Sequence, residues 1–133
     1  MVTWIDARIP VRLLPDGRHP PVAEPDAALV AVGAMGAAAA AAATAGWTAV
    51  RCLPESGLAP AGHPNGCGCC GGRNGFAELL GAMFRDRSTG ILPFFRAIAV
   101  RLPPHLVGPA AETLGSDPVL SSRYRLDTGM GEN

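Results

Sequence analysis

Residues 27–53, AALVAVGAMGAAAAAAATAGWTAVRCL, decide the fold. Ala28-Leu29-Val30-Ala31-Val32-Gly33 is an uninterrupted apolar run ended by glycine, the pattern of a strand buried on both faces. Residues 35–45 are mostly alanine, the strongest helix former. Residues 47–53 then return to β-prone side chains such as Trp47 and Val50. Strand, helix and strand in that order build parallel sheets, so the sequence predicts an α/β domain.

Working outward, residues 1–25 carry five prolines and read as an irregular arm with one possible strand at 9–14. The arm precedes a single domain over 26–133. Prolines and glycines crowd residues 54–72 and predict a loop without regular structure. An amphipathic helix follows, with Phe76, Leu79, Leu80, Met83 and Phe84 at helical spacing and Asn74 as its cap. Residues 91–102, including Phe94, Phe95, Ile98 and Val100, form an apolar run of the kind a central parallel strand shows, ended by Pro103 and Pro104. Two short helices are predicted at 109–114 and 117–124, the second with Asp117 at the cap and Pro118 at the first helical position. Residues 128–133 are too short and glycine-rich for another strand, so the mainly parallel, helix-flanked sheet is expected to be incomplete.

The chain has 133 residues, enough for one small domain, and its eleven basic residues balance eleven acidic ones. No global field draws it to nucleic acid or to an anionic membrane, so neither is an expected partner. Residues 27–50 lack charge and are long enough to span a bilayer, but alanine and glycine transfer too weakly for a span. No basic segment leads into an apolar stretch near Met1, so the expected location is cytoplasmic. In that reducing compartment the four cysteines are expected free or metal-bound.

Three of those cysteines stand together in Asn65-Gly66-Cys67-Gly68-Cys69-Cys70-Gly71-Gly72. Glycines let the backbone fold tightly enough for Cys67, Cys69 and Cys70 to converge on one ion. Thiolates select Zn²⁺ or another soft or borderline metal over Mg²⁺ or Ca²⁺. Three ligands leave a fourth position open to Cys52, Glu55, His63, water or a donor from a receiving protein. An open position suits transfer of the ion. The competing reading is three free thiols, or a redox pair between Cys67 and Cys70.

This segment resembles the NGCxCC metal motif of the CobW-type metallochaperone GTPases, which load metal into client proteins. The likeness continues through the helix from Phe76 to Asp86, then Phe94-Phe95-Arg96-Ala97-Ile98-Ala99-Val100, which is similar to the family's FDRVVIE strand. It ends in Asp117-Pro118-Val119-Leu120-Ser121-Ser122-Arg123-Tyr124-Arg125-Leu126-Asp127, similar to DPxLxxRYxLD. It covers residues 65–127, and it implies an incomplete P-loop-NTPase-like fold. It also makes Glu55, in Leu53-Pro54-Glu55-Ser56-Gly57, a metal-proximal carboxylate by its faint likeness to NEFGE.

Upstream the likeness decays. Gly33 and Gly36 keep two glycines of the family's Walker A loop; a rival register places residues 9–14 on its first strand instead. A phosphate loop needs a lysine ammonium on the β- and γ-phosphates and a hydroxyl on Mg²⁺. The chain contains no lysine, so neither register supplies the ammonium. Residues 100–107, in place of the family's switch, hold no carboxylate, and the family's later strand and guanine-reading loop have no counterpart. The expectation is a shortened, non-hydrolysing CobW-like metal carrier, not an enzyme, whose partners are a metal-receiving client or a full-length relative. The alternatives are a decayed remnant with no site, or weak nucleotide binding at a helix N-terminus near Gly36.

Overall fold

The computed structural model describes residues 6–15, 24–33, 46–58 and 74–127. Five strands, β1 (Ile9–Pro15), β2 (Ala27–Val32), β3 (Ala49–Leu53), β4 (Ala97–Leu102) and β5 (Tyr124–Leu126), form one sheet in the order β3-β2-β4-β1-β5. Every pairing is parallel. The described helices are α1 (Gly75–Thr89), α2 (Val107–Ser116) and α3 (Pro118–Arg123). The fold is therefore α/β, with a parallel sheet flanked by helices.

β2 is buried at all six positions, as its unbroken apolar run requires. β4, the other run read as interior, is the middle strand. The two candidate registers for the resemblance's first strand fall on β2 and β1, which flank β4 on opposite sides. The strand allowed for in the proline-rich arm thus lies inside the sheet, between β4 and β5.

α1 forms because Asn74 accepts the Ala77 amide at 2.8 Å while Phe76, Ala77, Leu80 and Met83 line one buried side. Fully burying Phe76 or Leu80 contributes about 1.5–3 kcal/mol each. α3 starts at Asp117, whose Oδ1 accepts the amides of Val119 and Leu120 at 3.0 and 3.1 Å.

The crossovers from β3 to β4 and from β4 to β5 each skip one strand in the same direction. The right-handed rule then puts both on the same face. Accordingly α1, α2 and α3 all pack against Ile9, Val11, Val30, Val32, Ile98, Val100 and Leu102. The opposite face presents Ala27, Leu29, Ala31 and Ala99 beside Trp47, so Trp47 is a packing residue.

Three expectations need correction. The stretch 54–72 does not exclude regular structure: Glu55–Leu58 is a 3-10 turn, because Pro54 offers its carbonyl to the Gly57 amide at 2.9 Å. The run at 91–102 enters the sheet only at Ala97; Phe94 is exposed, and the Arg96 amide bonds the Asp26 carbonyl at 2.7 Å instead of a strand. Tyr124 does not close a helix but opens β5, which pairs with Ile9 to Val11. The predicted helix at 35–45 lies outside the described residues.

Candidate functional site

In open α/β sheets, ligands gather beyond the carboxyl ends of the strands. At that edge of this sheet lie Gly33 after β2, the Glu55 turn after β3 and His105 after β4. The segment carrying Cys67, Cys69 and Cys70 is rooted there too, since it leaves from the 3-10 turn and returns at Asn74. Those three cysteines, with Gly36 and His63, lie outside the described residues.

Both roots of the segment are fixed. Gly57 sits against the Leu53 side chain so closely that a Cβ on it would come within 2.7 Å of Leu53 Cγ. A Cβ on Gly75 would meet Gly57 Cα at 3.2 Å, so the outgoing and returning backbones touch. Asn74, besides capping α1, donates from Nδ2 to Thr113 Oγ1 at 3.1 Å and pins the returning root to α2.

Glu55 leans over the end of β2. Gly33 has φ +91°, a conformation that favours glycine, and a Cβ there would lie 3.2 Å from Glu55 Oε2. Glu55 Oε1 lies 3.5 Å from His105 Nε2, with both side chains at least half exposed. Such an exposed pair contributes little to stability, but it places one oxygen and one nitrogen donor side by side. A carboxylate over Gly33 is the wrong charge for a phosphate cradle, and with no lysine in the chain the residues do not fit GTP in that register.

Cys52 is exposed on the edge strand β3 and pairs with Ala31. By strand alternation it shares a face with Val50 and Ala31, away from α1. Of the two described candidates for a fourth ligand, Glu55 stands at the edge where the cysteine segment is rooted, and Cys52 faces the other way. Among the described residues, no three His, Cys, Asp or Glu side chains come together closely enough to hold a metal ion.

The sequence reading gave His105 no role. Its signal was positional: His105 follows β4 after two prolines much as Glu55 follows β3 after one, and with β2 between β3 and β4 the two residues reach toward each other across the end of β2.

Four of the residues at 117–127, Asp117, Leu120, Tyr124 and Asp127, hold the fold together. Asp117 caps α3, Leu120 is fully buried, and Tyr124 is buried with its hydroxyl donating to the Leu80 carbonyl at 2.8 Å. The Asp127 amide bonds the Val11 carbonyl at 2.8 Å and closes β5 onto β1. Compared with known protein families, curated proteins and solved structures, the chain matches none. No described helix is long and apolar enough to cross a membrane.

Proposed function

We propose that the chain is a metal-binding protein of CobW type that carries a Zn²⁺-like ion on Cys67, Cys69 and Cys70 and hands it to a receiving protein, without hydrolysing GTP. The observation that carries this reading is the donor set: three thiols within four positions of a glycine-rich segment. Deprotonated, such sulfurs form the soft site that zinc or copper prefers. The ion is cargo, so the fourth position is the one through which it enters and leaves. Support comes from the residues that flank the segment, where Gly57 and Gly75 lie close together at the edge on which Glu55 and His105 stand. Glu55 is the fourth donor favoured over Cys52 on these grounds. Hydrolysis is left out because the chain offers no ammonium for the phosphates and sets a carboxylate beside Gly33.

The test is metal content after purification under reducing conditions, followed by zinc titration. The wild-type chain is expected to bind one zinc, and the combined variant Cys67→Ser, Cys69→Ser, Cys70→Ser to bind none, while Cys52→Ser keeps it. Stoichiometric zinc in the triple variant would overturn the assignment.

A further inference from the structure

At the opposite edge of the sheet, the connection from α1 to β4 exposes its apolar residues. Ile91 is 73% and Phe94 60% exposed, with Pro93 exposed between them, whereas Leu92 and Phe95 turn inward. Around this tip, cations and rings alternate. Arg123 lies 4.3 Å from the centre of the Phe84 ring, and Arg87 lies 5.9 Å from Phe84 and 3.8 Å from Phe94. Arg96 stands 6.0 Å from the outer ring, Phe94. Arg87 has a structural duty, donating from Nε to the Phe95 carbonyl at 2.7 Å, which holds the loop against α1. Arg96 and Arg123 are exposed. None of the three makes an ion pair with a carboxylate among the described residues. Three guanidiniums thus gather around an apolar tip in a chain whose charges balance overall, and Asp26 and Asp86 join the same connection through their backbone carbonyls, to Arg96 and Leu92.

Two large apolar side chains here face outward on one short connection, beside guanidiniums that no described carboxylate pairs. The charge calls for an anionic partner, and the outward-facing tip calls for one that accepts apolar groups without a matching groove. A bilayer leaflet with anionic headgroups meets both demands: the tip enters the boundary between headgroups and acyl chains while the arginines stay at the phosphate level. Single-stranded nucleic acid fits less well, because its affinity comes mainly from many phosphate contacts, and Ile91 offers no ring for a base to stack on. A second copy of the chain would set like charges against one another.

We propose that the Ile91-Phe94 tip, with Arg87, Arg96 and Arg123, is a docking surface for anionic lipid membranes, a peripheral attachment independent of the cysteine cluster. The test is co-sedimentation of the full chain with vesicles of phosphatidylcholine alone and of phosphatidylcholine with phosphatidylserine. Binding is expected only to the serine-containing vesicles and should weaken with salt. The double variant Ile91→Ser, Phe94→Ser and the double variant Arg96→Ala, Arg123→Ala should each lower that binding roughly tenfold or more, with melting curves matching the wild type. The triple-cysteine variant should bind vesicles normally, so failure of the metal reading leaves this one untouched. Equal binding by the wild type and both variants, equal binding to neutral vesicles, no binding at all, or preferential capture of a labelled oligothymidine would each overturn it.

Discussion

The Tyr124 hydroxyl, at the start of β5, donates to the Leu80 carbonyl in the middle of α1 at 2.8 Å, and both residues are fully buried or nearly so. This bond joins the outermost strand to the helix that follows the cysteine segment. Tyr124→Phe keeps the ring, including its edge-on contact with Phe84 at 6.3 Å, and removes only the hydroxyl. The expected cost is about 1 kcal/mol, read as a fall in melting temperature of roughly 3–6 °C for a chain of this size. Burial holds the phenol above its ordinary pKa of 10.0, against the opposing pull of Arg87 and Arg123. A folded-state pKa above the unfolded value means the stabilisation is complete below pH 10 and is lost as pH rises further. The wild type should therefore lose stability in strong alkali with a component that the phenylalanine variant lacks.

Gly33→Ala and Gly115→Ala should act in opposite directions. At Gly33 the backbone has φ +91° and a Cβ would crowd Glu55, so alanine should destabilise by about 1–2 kcal/mol. In α2, a Cβ on Gly115 meets nothing within 4 Å, and alanine should gain up to about 1 kcal/mol from its helix propensity. Urea unfolding of the two variants measures both signs. A neutral Gly33→Ala would show that the end of β2 does not hold the described conformation.

Asp6 accepts Arg8 twice through the guanidinium, at 3.0 and 2.8 Å, and once through the backbone amide at 3.0 Å. These hydrogen bonds pull its carboxyl from 3.8 down to about 2. Because the folded pKa is the lower one, the interaction is intact above pH 3.8 and is lost as pH falls toward 2. An NMR titration of the Asp6 carboxyl should show that low midpoint, and Arg8→Ala should return it close to 3.8. A midpoint unaffected by the substitution would mean the pair does not form in solution.

Much of the fold was legible because burial on both faces leaves a plain mark. β2 and most of β4 are unbroken apolar runs, and the caps at Asn74 and Asp117 are the residue types that accept helix-start amides. β5 was not legible. Tyr124-Arg125-Leu126 directly follows α3, and only pairing with the distant Ile9 to Val11 makes it a strand. Phe94 misled for a related reason: its apolar character suits a strand, but Arg87 stacked on its ring gives it a place outside the sheet. At the candidate site, the cysteines could be read from spacing alone. The approach of His105 to Glu55 depends on strand order, which no local pattern encodes.

The position of β1 has a consequence for synthesis. Its two neighbours, residues 98–102 on one side and 124–126 on the other, are both made long after it. A ribosome extending this chain therefore holds a nascent apolar segment that has nothing to join until nearly everything described has emerged. Closing such distant pairs is slow, so of the described strands β1 waits through the longest stretch of chain for a neighbour.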